Sequence, residues 1–231
     1  VAFGKWPAQL AKAVHSLLNA GLVVETSAGR LRATPVGKAV GHSGLLPETG
    51  TFLLDYLVPR AARLGGLLPR ADDAGNARRF AFLLFAACLS SPEFRPQGGG
   101  APTRFLPYPL DAQALIDADE YKDDLAEPVW HADFAPINGT WLCCEWIEGA
   151  EIRKLEGTLP QLSAGMLREL HRNLVWLLQG LASISIAACD KRVPASSRPG
   201  ALRVDDETLE ALGKLPRAIR RLSFRVSEGL P

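Results

Sequence analysis

The chain has 231 residues, of which 47% are hydrophobic and 22% are charged. A chain of this length and composition can bury a substantial core, which excludes a disordered polymer. The formal net charge is only +1, which excludes a polycation, so any contact with nucleic acid has to come from a local cluster of basic residues.

The first elements predicted along the chain are a helix, a β-hairpin and a second, short helix. Gly29 can adopt the positive φ that the hairpin turn needs, and Thr34 is a typical N-cap before Pro35. This order is typical of a winged helix, which we predict for residues 1–46. The predicted ranges are Pro7–Asn19, Leu22–Thr26, Arg30–Thr34 and Pro35 to about Val40.

After Pro47 the pattern becomes helical and predicts a bundle of about six helices over residues 47–231. A stretch rich in proline and glycine predicts an irregular insertion at residues 95–134. The fold class is therefore expected to be mainly α, a winged helix with a small β-hairpin followed by the bundle. The predicted helices are about Pro47–Leu64, Asp72–Ser90, Asp111–Tyr121, Asn138–Gly149, Ser163–Cys189 and Asp205–Glu228, with Pro216 expected to start or kink a helix in the last range.

The sequence contains none of the residue patterns that carry catalysis. No Gly-Lys pair is followed by Ser or Thr, as a phosphate-binding loop requires, and the four histidines are far apart in sequence. We therefore assign no catalytic residue, no metal ligand and no cofactor to this chain. Whether it belongs to an enzyme stays open at this point.

Several short patterns bear on calcium binding, on the cellular location and on whether the chain is a fragment. The acidic cluster at residues 117–124 lacks the glycine and terminal glutamate of a calcium loop, so we expect a solvated helical face. The four cysteines lie in apolar surroundings and are expected to be buried free thiols, which favours a cytoplasmic location. No signal peptide or membrane span is predicted. Because the chain begins at Val1, we expect a fragment of a longer protein.

The segment Met166–Cys189 predicts a long amphipathic helix with an unusual polar side. Trp176 lies off the apolar stripe. An exposed indole can stack on an unpaired base, and neighbouring arginines can bind phosphates. The other interpretation is that a neighbouring helix or domain covers Trp176. The candidate nucleic-acid-binding residues on this side are Arg168, Arg172, Trp176, Gln179 and Ser183.

A second basic face is predicted in Leu212–Val226. Arginines recur every four residues along one side of the helix, at a spacing suited to following a phosphate backbone. The candidate residues are Lys214, Arg217 and Arg221. A solvent-exposed face with no ligand is the alternative.

The order of these segments resembles the C-terminal part of ratchet-type superfamily 2 helicases, the group of archaeal repair helicases and the helicase part of DNA polymerase theta. The resemblance covers most of the chain and fails over residues 95–134. It rests on the Thr-x-x-Gly step at Thr34–Gly37 with Pro47-Glu48, and on four segments: FAFLLFAACLSSPEF (Phe80–Phe94), WLCCEWIEGAEIRKLE (Trp141–Glu156), MLRELHRNLVWLLQGLASI (Met166–Ile184) and LPRAIRRLSFRVSEGLP (Leu215–Pro231).

The resemblance implies an accessory module that guides single-stranded nucleic acid, expected to be DNA and not RNA, past helicase motor domains in the same parent chain. It implies that Met166–Ile184 is the ratchet helix and that Trp176 is its stacking aromatic. ATP and Mg²⁺ are then expected at the motor, which this fragment lacks. Members of the family can carry a basic residue two turns before the tryptophan, where this chain has Glu169.

Two other function classes stay open. A winged-helix transcription regulator would read duplex DNA with the helix before the hairpin, whose polar residues are few. A protein-interaction scaffold would use Trp176 as an interface anchor and would ignore oligonucleotides.

Overall fold

The computed structural model describes residues 6–68, 74–94, 119–125, 134–158, 162–190 and 205–230. Over these residues the chain is mainly helical and contains one antiparallel sheet of two strands. The prediction of a mainly α chain with a small hairpin is confirmed at this level.

The chain begins with a helix, a two-stranded hairpin and a short helix. The strands pair with Val24 opposite Arg32, and Gly29 in the turn has the expected positive φ of 69°. The elements are α1 (Trp6–Asn19), β1 (Val23–Glu25), β2 (Leu31–Ala33) and α2 (Pro35–His42).

Helix α2 is fastened to the hairpin through Thr34 and Gly37. The Thr34 hydroxyl donates to the Gly21 carbonyl (3.0 Å) and accepts the N–H of Gly37 (3.0 Å). A Cβ on Gly37 would lie only 1.9 Å from the carbonyl oxygen of Leu22. Since no side chain fits there, the close approach of the two backbones accounts for the Thr-x-x-Gly step.

The single helix predicted over Pro47–Leu64 is wrong, because the structure has two helices there. Helix α3 spans Pro47–Leu57 and α4 spans Ala61–Gly66. Pro59 lies between them. Its ring has no N–H to donate to the carbonyl four residues earlier and would collide with that carbonyl, so the helix ends.

Two apolar helices form the centre of the bundle, α5 (Ala74–Leu89) and α6 (Phe134–Ile147). Every residue from Phe80 to Leu89 is buried, as expected for a stretch of helix that is apolar on all sides. Helix α6 begins before the predicted Asn138, because Pro136 lies in its first turn, where the N–H groups need no intrahelical acceptor.

The last three helices are α7 (Ile152–Glu156), α8 (Ala164–Ala188) and α9 (Asp206–Glu228). The two long ones match their predicted ranges once the caps are counted, because Ser163 and Asp205 accept backbone N–H groups at the two helix starts. Helix α7 was not predicted. Pro216 lies inside α9 and does not start a helix.

Helices α8 and α9 pack against each other in antiparallel directions. At one end, the Cys189 thiol lies 3.4 Å from the Leu209 carbonyl oxygen. At the other end, the Trp146 indole donates to the Val226 carbonyl (2.8 Å) and stacks on the His171 ring at 4.8 Å between centroids. Burial lowers the pKa of His171 to about 4.

The expectation of a solvated acidic face is wrong for Asp124. Its carboxylate, with a side chain 11% exposed, pairs with Arg63 (3.0 Å) and Arg79. Burial alone raises the pKa of Asp124, but the hydrogen bonds and charges of Arg63 and Arg79 outweigh this effect and leave the pKa below its usual value. Residues 119–125 are thereby held against helices α4 and α5. The Arg60 side chain, at the start of α4, also donates to the Asp124 carbonyl oxygen (2.7 Å).

Several predictions fall on residues outside the described ranges. They include most of the Asp111–Tyr121 helix and of the insertion at 95–134, of which Asp119–Tyr121 is described and helical. The predicted boundary between residues 46 and 47 stays a prediction. Leu22 and Val40 belong to the same buried apolar cluster as the bundle helices.

Three of the four cysteines, Cys88, Cys143 and Cys144, are buried free thiols, and Cys189 is a half-buried free thiol. Among the helices described, none combines the length and apolar character that crossing a bilayer requires.

Candidate nucleic-acid interface

The predicted residues of α8 lie on one side of that helix. Their spacing of three or four residues keeps them on a single stripe, and most of the stripe faces solvent. Arg168, Arg172 and Gln179 are exposed, whereas Trp176 and Ser183 are half-buried. Neither of these two arginines has an ion-pair partner among the described residues.

Trp176 is held by the end of α2. Its indole N–H donates to the Ser43 carbonyl oxygen at 2.7 Å, and Ser43 is the C-cap of α2. A close approach occurs one turn later, where a Cβ on Gly180 would meet Leu45 at 2.6 Å. The indole therefore has a structural role between α2 and α8, while part of the ring stays accessible. Its stacking role remains a prediction.

The predicted residues of α9 are all exposed and follow one side of the helix. Lys214 pairs with Glu210 at 2.9 Å, one turn earlier. Arg217 and Arg221, together with the neighbouring Arg220, have no ion-pair partner in the described part of the chain. Three exposed guanidinium groups are thus available to an anionic ligand.

These arginines border a groove of about 790 Å³ beside the contact between α8 and α9. Ile186 lines it from α8, and the residues from α9 are Gly213, Pro216, Arg217, Arg220, Arg221, Phe224 and Arg225. The exposed side chains of Ile186 and Phe224 give this groove apolar surface next to its arginines.

The groove continues towards α2. Ile186 and Arg220 also line a neighbouring groove that contains Ser183 from α8 and Lys38 and His42 from α2. Asp190 is the one acidic residue among the residues described as lining the two grooves, which also carry one lysine and four arginines. The combined surface, which we call the basic groove, is positively charged in a chain of net charge +1.

The fold brings only part of the predicted site together. Ser183, Arg217 and Arg221 line the basic groove, and Lys214 lies one turn before Arg217. Arg168 and Arg172 lie towards the other end of α8. The rise of about 1.5 Å per residue separates Arg168 from Ser183 by roughly 22 Å along the helix axis.

Lys38, Ile186 and Phe224 line the basic groove but were not predicted from the sequence as site residues. Phe224 follows Arg221 by three residues and therefore shares its side of α9. Helical spacing alone could have identified it. Lys38 and Ile186 could not be found this way, because their position depends on how α2 and α8 meet.

Among the described residues, no cluster of His, Cys, Asp or Glu side chains has the geometry of a metal site. Neither a scan against protein-family models nor a search of the curated proteins finds a match to this chain.

Proposed function

We propose that this chain is an accessory module of an ATP-driven helicase and that it binds single-stranded nucleic acid, which we expect to be DNA. The observation that carries the proposal is the basic groove, where three exposed arginines that have no ion-pair partner among the described residues lie beside apolar surface. The motor domains, with ATP and Mg²⁺, belong to the parent chain in this proposal. A cytoplasmic location suits the four free thiols.

The arrangement of charge supports a strand-like ligand. Arg217 and Arg221 are separated by one turn of α9, about 6 Å along its axis, so they can bind different phosphates of one strand. Contacts of this kind depend on the backbone and not on base identity. The binding should therefore be sensitive to salt and tolerant of sequence.

Two further features support the helicase class. The helix, hairpin and helix at the start of the chain follow the order of a winged helix, with Gly37 at the tight step. Leu10 on α1 and Leu31 on β2 are 64% and 49% exposed. In the proposal, this apolar surface packs against a motor domain.

The proposal is tested by fluorescence anisotropy with a labelled oligo-dT of about 20 nucleotides. Reversing two groove charges, Arg217→Glu with Arg221→Glu, should weaken binding by about tenfold or more. The matched control is Arg153→Glu with Lys154→Glu, which makes the same charge change at exposed residues of α7 and should have a small effect.

The same assay separates the competing classes. A transcription regulator would bind a specific duplex more tightly than oligo-dT and would lose affinity on Lys12→Glu, a change on the exposed side of α1. A scaffold would bind neither polymer. If wild-type protein fails to bind oligo-dT, or if the groove and control variants lose affinity equally, the proposed function is wrong.

A further inference from the structure

Phe224 is an aromatic side chain that the fold leaves in water. It is 59% exposed, and its ring has no stacked partner and no overlying guanidinium among the residues described. Single exposed apolar residues are common on protein surfaces. Phe224 is not a single exposed residue of this kind, because Ile186 of α8 is 46% exposed and lines the same groove. The two side chains together form an apolar surface.

The charges around Phe224 restrict what this apolar surface can bind. Arg217, Arg220, Arg221 and Arg225 line the same groove, and none of the described residues that line this part of it is acidic. Arg225 donates to the carbonyl oxygens of Leu230 and Ile147, so its guanidinium is already engaged. The other three arginines remain for a ligand that carries negative charge next to a flat apolar face.

A nucleotide of a single strand has both properties in one repeating unit. Its base has a π-face that stacks on an aromatic ring regardless of sequence, and its phosphates pair with arginine. A free phosphate would leave the ring unused. An acidic protein segment could occupy the same surface, but a flat ring gains most from a flat partner.

We infer that Phe224 is a base-stacking residue of the basic groove, with Arg217, Arg220 and Arg221 binding the flanking phosphates. This inference rests on the proposed function and names the residue that contacts the bases within that site. It places a stacking contact on α9, separate from the one predicted for Trp176 on α8. The strand would then be held through bases as well as phosphates.

The test compares two polymers of equal charge, an oligo-dT of about 20 nucleotides and an abasic chain of the same length. Phe224→Ala should weaken oligo-dT binding by about fivefold or more and leave abasic-chain binding unchanged. Phe224→Trp should restore oligo-dT binding. Leu230→Ala is the matched control, since Leu230 is 46% exposed but does not line the groove. Arg217→Glu with Arg221→Glu should weaken the binding of both polymers.

The outcomes separate this inference from the function on which it rests. If Phe224→Ala changes neither affinity, or weakens both polymers equally, Phe224 does not stack on bases. The proposed function survives that result as long as the arginine variant still loses oligo-dT affinity. If wild-type protein binds neither polymer but binds an acidic peptide through Phe224, both are overturned.

Discussion

Gly37 and Gly41 occupy the same short helix, α2, in very different surroundings. A Cβ on Gly37 would lie 1.9 Å from the backbone oxygen of Leu22, whereas a Cβ on Gly41 would have no described atom within 4 Å apart from its chain neighbours and the backbone of its own helix. The first glycine allows two backbones to touch. The second glycine only destabilises the helix, because glycine is a poor helix former and no close contact requires it there.

We expect Gly37→Ala to lower the free energy of unfolding by about 3 kcal/mol or more, since the clash involves backbone that cannot rotate away. Gly41→Ala should raise it by up to about 1 kcal/mol. Urea denaturation followed by circular dichroism measures both. Equal effects of the two substitutions would mean that the close approach of α2 to Leu22 is not present in solution.

His171 is a buried base whose pKa, about 4, lies below the usual 6.5. Its ring stacks on Trp146, and its Nε2 atom has no hydrogen-bond partner in the part of the chain that the structure describes. Below pH 6.5 the unfolded chain takes up a proton at this residue, while the folded chain stays neutral down to about pH 4. The contribution of neutral His171 to stability is therefore complete above pH 6.5 and is lost as the pH falls.

Between pH 7 and pH 5 this residue should remove about 2 kcal/mol of the free energy of unfolding. His171→Phe keeps a ring against Trp146 and has no proton to bind. We therefore expect the difference in stability between the variant and the wild type to grow in favour of the variant as the pH is lowered. Urea denaturation at several pH values measures it. A difference that does not depend on pH would contradict the buried neutral imidazole.

Trp176 has two separable properties, an indole N–H bonded to the Ser43 carbonyl (2.7 Å) and a half-exposed ring. Trp176→Phe removes the hydrogen bond, at a cost of about 1 kcal/mol in stability, and keeps a ring. Trp176→Ala removes both and should reduce oligo-dT affinity by about fivefold, whereas the Phe variant should bind nearly as the wild type does. If both variants bind normally, Trp176 serves only to join α2 to α8.

At the scale of elements, the sequence predicted the two longest helices well, but it did not predict where proline ends or begins a helix. Apolar periodicity and the caps Ser163 and Asp205 identify α8 and α9 almost to the residue. The predicted helices ran through Pro59 and began only after Pro136, and both predictions were wrong because the effect of proline depends on its position in a helix. Pro59 ends α3, whereas Pro136 is accommodated in the first turn of α6.

The candidate site was predictable only where it belongs to a single helix. Arg217 and Arg221 follow from helical spacing, and Phe224 could have been found in the same way. The groove itself requires the pairing of α8, α9 and α2, which no local pattern specifies. The same limit applies to Asp124, whose partners Arg63 and Arg79 lie more than forty positions earlier in the sequence.

Asp124 connects residues 119–125 to the bundle, so its loss should act on a whole segment. We expect Asp124→Asn to lower the free energy of unfolding by about 2 kcal/mol, because two arginines lose a charged, partly buried acceptor. Asp123→Asn, at an exposed position one residue away, should have little effect. Denaturant titration compares them. Equal stability of the two variants would mean that Asp124 is solvated, as its sequence context first indicated.

At the scale of the whole molecule, a nearly neutral chain concentrates positive charge on one surface. The net charge of +1 does not reveal the basic groove, where five cationic residues come from α2 and α9 and Asp190 is the one acidic residue among the residues described as lining it. Fields of this kind attract polyanions even when the net charge is small. The proposed binding of a single strand is supported by the clustering of cations in the basic groove and not by the net charge of the chain.

The most direct test of that claim is the salt dependence of oligo-dT affinity. Each phosphate neutralised on a single strand contributes about 0.7 to the slope of log K against log salt. Changing both Arg217 and Arg221 to Ala should therefore reduce the magnitude of the slope by about 1.4, while Arg153→Ala with Lys154→Ala should leave it unchanged. A wild-type slope retained by the double groove variant would contradict the claim that phosphates bind in the basic groove.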